Sequence, residues 1–123
     1  MQDKTLVIIP TYNEKENAEK IVRKVFSLEE PFDILIVDDG SPDGTADIIQ
    51  SLIPEFPGRL YLLQRKGKLG LGTAYMEGFL WGLVHDYTYL IEMDADFSHN
   101  PEDLPSLVGA CRQGADVAIG SRY

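Results

Sequence analysis

Two aspartates one residue apart, Asp94 and Asp96 in Glu92-Met93-Asp94-Ala95-Asp96, have the spacing best suited to chemistry. In extended backbone, residues i and i+2 point to the same side, so both carboxylates can meet one ion. Hard oxygen donors of this kind suit Mg²⁺ or Mn²⁺, which take one or two carboxylates and then the phosphates of a substrate. On its own, an Asp-x-Asp is usually a capping or solvated pair. Here it has company: Asp38-Asp39 closes the apolar run Ile34-Leu35-Ile36-Val37, and Glu14 closely follows Thr5-Leu6-Val7-Ile8-Ile9. Clustered carboxylates repel unless a cation or a donor compensates them. A divalent metal carrying a phosphorylated ligand is the economical explanation.

These residues need a frame that gathers them. Five short apolar runs, the two above with Leu60–Leu63, Tyr89–Ile91 and Val117–Ile119, read as strands apolar on both faces, as in a parallel sheet covered on each side. Helical spacing fills the gaps. Ala18, Ile21, Val22, Val25 and Phe26 form one stripe, with Lys20, Arg23 and Lys24 facing away, and Asn13 with Glu16 predicts an N-cap pair. Ser41-Pro42 predicts the start of a second helix that stops before Pro54. A third starts near Gly72 and turns Tyr75, Met76, Phe79, Leu80 and Leu83 inward; a fourth opens at Asn100-Pro101, buries Leu104, Leu107, Val108 and Cys111, and stops at Gly114. The resulting β-α-β-α-β-α-β-α-β order is that of a parallel α/β sheet, whose ligands bind beyond the carboxyl ends of the strands where strand order reverses. All three acidic segments fall on that rim.

Other residues carry weaker signals. A carboxylate at Asp38 or Asp39 can accept from a ribose hydroxyl or a base N–H, with one of the pair expected to cap or to be solvated instead. Tyr12 can lie against a base or merely cover the rim. Lys66-Gly67-Lys68-Leu69-Gly70-Leu71-Gly72 is glycine-rich and basic but is no Walker loop. Arg65-Lys66-Gly67-Lys68 reads as a solvated loop or a contact for a lipid phosphate. His85 and His99 lack the spacing of a metal pair, Cys111 reads as a small hydrophobe, and Trp81 with Gly78 and Gly82 reads as close helix packing.

Composition narrows the field. The 123 residues fit one domain, 1–123, with a real core, and 44% apolar and 25% charged content is ordinary for a globular chain. Eleven basic against twenty acidic residues, a net charge of −9, counts against a general nucleic-acid binder and against a polybasic membrane anchor. A single cysteine excludes an internal disulfide, and the start lacks a signal peptide's apolar core, so a cytoplasmic setting is expected. The chain stops at Gly120-Ser121-Arg122-Tyr123, directly after a strand, and a longer parent is expected.

Read in order, Ile8-Ile9-Pro10-Thr11-Tyr12-Asn13-Glu14, Val37-Asp38-Asp39-Gly40-Ser41-Pro42-Asp43-Gly44-Thr45, Lys68-Leu69-Gly70-Leu71-Gly72-Thr73-Ala74, Met93-Asp94-Ala95-Asp96-Phe97-Ser98-His99 and Gly120-Ser121-Arg122-Tyr123 resemble the family 2 glycosyltransferases, and within them the polyprenol (dolichyl) phosphate mannose synthases. The resemblance implies a Rossmann-like GT-A nucleotide-diphospho-sugar transferase fold, a mostly parallel sheet with alternating helices, truncated at its C-terminus. It implies that Pro10, Tyr12, Glu14, Val37 and Asp39, with the Ala95 backbone, hold the nucleotide-sugar, GDP-mannose. By the same resemblance, Asp94 and Asp96 would bind Mg²⁺ or Mn²⁺ against the diphosphate, and Arg122 would approach the phosphates or the acceptor. Ser98 stands where some relatives place a glutamine as an added metal ligand, and it is a weaker one.

The implied reaction is inverting transfer of mannose to a polyprenyl phosphate, with the parent protein at the cytoplasmic face of a membrane. The metal assists the departing diphosphate as a Lewis acid. The acceptor phosphate is already anionic, so positioning supplies much of the rest and no general base is nominated. The family's catalytic domain is considerably longer than this chain. In it a later antiparallel strand separates the fourth and fifth strands, so Val117–Ile119 is expected to lack a partner and the piece to be inactive alone.

Three other readings compete. A related transferase could use another donor such as UDP-glucose, and a regulatory domain could bind the nucleotide-sugar without turnover. A Mg²⁺-binding receiver module has this length and pattern, but needs an acidic pair after strand one, a lone Asp after strand three and a Lys after strand five. Here those places hold Pro-Thr-Tyr, Gln64-Arg65 and Gly-Ser-Arg.

Overall fold

The structure is a computed structural model that describes residues 4–28, 32–65, 71–93 and 117–120. Among the described residues five strands and three helices follow in the order β1 (Thr5–Thr11), α1 (Lys15–Phe26), β2 (Phe32–Asp38), α2 (Thr45–Leu52), β3 (Leu60–Gln64), α3 (Leu71–Val84), β4 (Tyr89–Met93) and β5 (Val117–Gly120), with a 3-10 turn at Ile53–Glu55. All pairings are parallel and the sheet order is β3-β2-β1-β4-β5. Strand order therefore reverses between β1 and β4, which opens a crevice at their carboxyl ends. A receiver module is doubly wound in the order 2-1-3-4-5, so the observed order discards that reading.

Both sheet faces are buried, which explains the continuous apolar runs. Val7, Ile9, Ile34 and Ile36 pack with Ile21, Val22, Val25 and Ile49 of α1 and α2, while Leu6, Ile8, Leu35 and Val37 pack with Ala74 of α3. The stripe expected on α1 is the buried one. On α3 the expectation needs correction. Met76, Leu80 and Leu83 are 59%, 56% and 63% exposed, whereas Ala74 is fully buried. The cause is close approach. A Cβ on Gly78 would lie 2.5 Å from Ile8 Cγ2, and one on Gly82 2.5 Å from Leu90 Cδ2. The helix rests on the sheet through its small residues, so the large ones at other angles point outward.

Three more expectations change. Val117–Gly120 does not lack a partner: β5 pairs directly with β4 in the register Leu90↔Val117 to Met93↔Gly120. That ladder satisfies the backbone groups on the outer edge of β4, which would otherwise need another partner. The first helix is capped not by Asn13 but at Glu14, with no side-chain cap, and Asn13 is left-handed at φ 56°. The second helix starts at Thr45 behind Gly44, φ 93°, rather than at Ser41-Pro42. Both shifts have one origin in the loop joining β2 to α2, described below. The expected fourth helix lies outside the described residues.

Candidate functional site

The β1–β2 ladder runs to Thr11↔Asp38, whereas the β1–β4 ladder ends at Ile8↔Glu92. Pro10 has no N–H for a further rung. The rim thus gathers Pro10, Thr11 and Tyr12 at the end of β1 and Asp38 and Asp39 at the end of β2, beside the point where β4 ends at Met93.

Asp38 is the member of its pair with a structural role. It is 1% exposed and accepts from the Thr11 hydroxyl at 2.7 Å, the Ser41 amide at 2.9 Å and the Ser41 hydroxyl at 2.6 Å. Those bonds close the chain into a turn after β2 and leave Ser41 unable to start a helix. Asp39 is neither capping nor solvated. It is 6% exposed, its amide donates to the Thr11 carbonyl at 3.0 Å, and its Oδ1 accepts from Arg65 Nε at 2.5 Å. Arg65 is itself 8% exposed, and its Nη1 donates to Thr73 Oγ1 at 3.0 Å. Hydrogen bonding to Asp39 raises the guanidinium's already high pKa, against the opposing effect of burial. The solvated-loop and lipid-contact readings of Arg65 are thereby corrected.

The β2–α2 loop also shapes its neighbour. The Asn13 amide donates to Ser41 Oγ at 2.8 Å, the Glu14 amide to Thr45 Oγ1 at 3.0 Å, and the Lys15 amide to Asp43 Oδ2 at 3.2 Å. The entry to α1 is thus held by the β2–α2 loop, with no side-chain cap of its own. Asp43 Oδ1 accepts in turn from the Thr45 amide at 3.0 Å and the Thr45 hydroxyl at 2.5 Å. Burial pushes the Asp43 carboxyl up, but these bonds and the Lys15 contacts outweigh it and hold it below its ordinary value. A polar depression of about 170 Å³ opens here, lined by Asn13, Glu14, Lys15, Asn17 and Asp43 among others.

Of the residues expected to hold a nucleotide, Pro10, Tyr12, Glu14 and Asp39 share this rim; Tyr12 is 36% exposed. Val37 is fully buried against the α3 side of the sheet. Asp94, Ala95, Asp96, Ser98 and Arg122 lie outside the described residues. Among the described residues no group of three His, Cys, Asp or Glu side chains could hold a metal ion. Asp94 and Asp96, the pair expected to bind a metal, follow β4 in sequence. Sequence reasoning gave Arg65 and Ser41 other roles and passed over Thr45. A buried acidic pair at one strand end calls for a cation on the next, and Asp38↔Gln64 pairing sets Arg65 beside Asp39.

A doubly wound sheet with an acidic rim at its switch point has the frame in which α/β domains take their ligands, and comparison makes this specific. Residues 6–123 match the model of glycosyl transferase family 2, and the chain belongs to that family. It is 53% identical over 120 residues to the polyprenol monophosphomannose synthase of Mycolicibacterium smegmatis, covering 98% of this chain and 45% of that protein. It is 48% identical over 119 residues to the undecaprenyl-phosphate mannosyltransferase of Micrococcus luteus, covering 97% and 48%. The chain thus spans less than half the length of these relatives. Among solved structures, a mannosyltransferase from Pyrobaculum calidifontis in complex with GDP-Man and Mn²⁺ superposes with a TM-score of 0.67 at 25% identity, over 78% of this chain and 28% of that one. The fold is that of the GT-A glycosyltransferases.

Proposed function

We propose that this chain is the donor-binding part of an inverting glycosyltransferase that moves mannose from GDP-mannose to a polyprenyl (dolichyl) phosphate. The observation that carries the reading is the acidic rim at the β1/β4 switch point, in a chain matched over 97% of its length or more by transferases named for that acceptor class. A neighbour that holds GDP-Man and Mn²⁺ supports the donor and a divalent ion.

In this reading the Asp39 carboxylate accepts from an N–H or O–H of the nucleoside, and the Tyr12 ring lies against the base. Pro10 and the strapped turn at Asn13–Lys15 fix the wall beside it. Asp94 and Asp96 would hold Mg²⁺ or Mn²⁺, which when bound supplies Lewis-acid stabilisation to the departing diphosphate. The bond from the mannose anomeric carbon to the diphosphate oxygen breaks, and one to a lipid phosphate oxygen forms on the opposite face. That oxygen is already anionic, so orientation replaces proton abstraction. Arg122 would meet the phosphates. In this reading the parent protein works on a membrane lipid from the cytoplasmic face.

Calorimetric titration with GDP-mannose, UDP-glucose and UDP-GlcNAc, each with Mn²⁺ and with chelator, tests the donor. Selective, metal-dependent binding of GDP-mannose is expected, and preference for a uridine nucleotide rejects the mannose assignment. Radiolabel transfer from GDP-mannose to polyprenyl phosphate then separates a transferase from a domain that only binds.

A further inference from the structure

Asp39 does not orient itself. Among the described residues, the hydrogen bond its carboxylate receives is on Oδ1, from Arg65 Nε. The same guanidinium reaches the first turns of α3, donating to Thr73 Oγ1 at 3.0 Å and lying 3.7 Å from Glu77 Oε1. The Arg65 amide donates to the Asp38 carbonyl at 2.8 Å, so backbone and side chain of one residue tie the ends of β2 and β3 together. A guanidinium is planar with its donors in a fixed fork, so seating it on Thr73 dictates how it presents Nε to Asp39. The pair is almost wholly removed from water, where charge-assisted bonds are strong and directional.

We propose that Arg65 is a positioning residue for nucleoside recognition: anchored on α3 through Thr73, it fixes the rotation of the Asp39 carboxylate and so leaves Oδ2 aimed as the acceptor. This rests on the reading of Asp39 as the nucleoside contact. A lysine at 65 keeps the charge but has no fork, and cannot hold Asp39 and Thr73 in one plane. Recognition of the nucleoside then weakens, while grip on a diphosphate by the rest of the site is untouched.

The test titrates GDP and inorganic pyrophosphate, both with Mn²⁺, into the wild-type chain and into Arg65→Lys, Thr73→Val, Asp39→Asn and the Arg65→Lys/Asp39→Asn double variant. Arg65→Lys is expected to weaken GDP binding about tenfold, with pyrophosphate binding unchanged. Thr73→Val, an exposed and milder change, should shift GDP binding in the same direction by less. The double variant should bind GDP no more weakly than Asp39→Asn alone, because the two residues act as one unit. Equal losses for GDP and pyrophosphate in Arg65→Lys mark a merely structural role and overturn the proposal, as does wild-type GDP affinity in that variant alongside a loss in Asp39→Asn. GDP affinity that survives Asp39→Asn overturns instead the reading on which the proposal stands.

Discussion

Gly78 of α3 rests directly on Ile8 of β1: a Cβ at position 78 would meet Ile8 Cγ2 at 2.5 Å. Ile8 is fully buried and branched at Cβ, so it has little room to yield. Overpacking of this kind costs about 1–3 kcal/mol, partly offset by the better helix propensity of alanine, worth about 1 kcal/mol. Gly78→Ala should therefore lower the urea midpoint of unfolding. Gly82→Ala should cost less, because its first obstacle is the far end of the Leu90 side chain.

The strap between the two loops gives a second expectation. The buried Thr45 hydroxyl accepts from the Glu14 amide at 3.0 Å and donates to Asp43 at 2.5 Å. Thr45→Val removes both bonds and strands a backbone donor, a loss of about 1–3 kcal/mol. Thr45→Ser keeps the oxygen and should recover most of that stability. Denaturant melts of the two variants, read at unchanged slope, make the comparison.

Alkaline pH supplies a third. Burial, with the hydrogen bond to Asp33 at 2.5 Å, pushes the Tyr87 phenol well above its ordinary value of 10.0. The folded state thus retains a proton that the unfolded chain releases. The associated stability is fully present below pH 10.0 and declines as pH rises past it. Urea midpoints measured from pH 8 to 11 should fall for the wild type, and Tyr87→Phe should flatten that fall.

Metal removal is the fourth. Chelation should weaken GDP-mannose binding by about tenfold or more, about 1.4 kcal/mol. Asp94→Asn and Asp96→Asn should each bind as weakly with Mn²⁺ as the wild type does with chelator. Calorimetry reads both effects, and chelator-insensitive binding by the wild type would remove the metal from Asp94 and Asp96.

The sequence made the strands legible because a parallel sheet buries both faces, and runs such as Ile34–Val37 have no polar alternation to confuse. The α1 stripe was legible for the same reason. Helix starts were not. Asn13 and Ser41 have the chemistry of local caps, yet Asn13 has its amide, and Ser41 its side chain, engaged by partners 28 residues away, and Ser41 also bonds Asp38. On α3 the period of large apolar residues misled, since two glycines decide which face comes closest. At the rim, Asp39 stood out by its acidic neighbour, but Arg65 sits beside it only through strand register, which no local pattern carries.

That strap has a consequence for how the chain acquires its binding wall. The turn at Asn13–Lys15 is held by atoms of Ser41, Asp43 and Thr45, between 28 and 31 residues further on. A nascent chain that has released only β1 and α1 has nothing to fix that turn. This corner is therefore complete only once the segment that follows β2 has docked on the entry to α1.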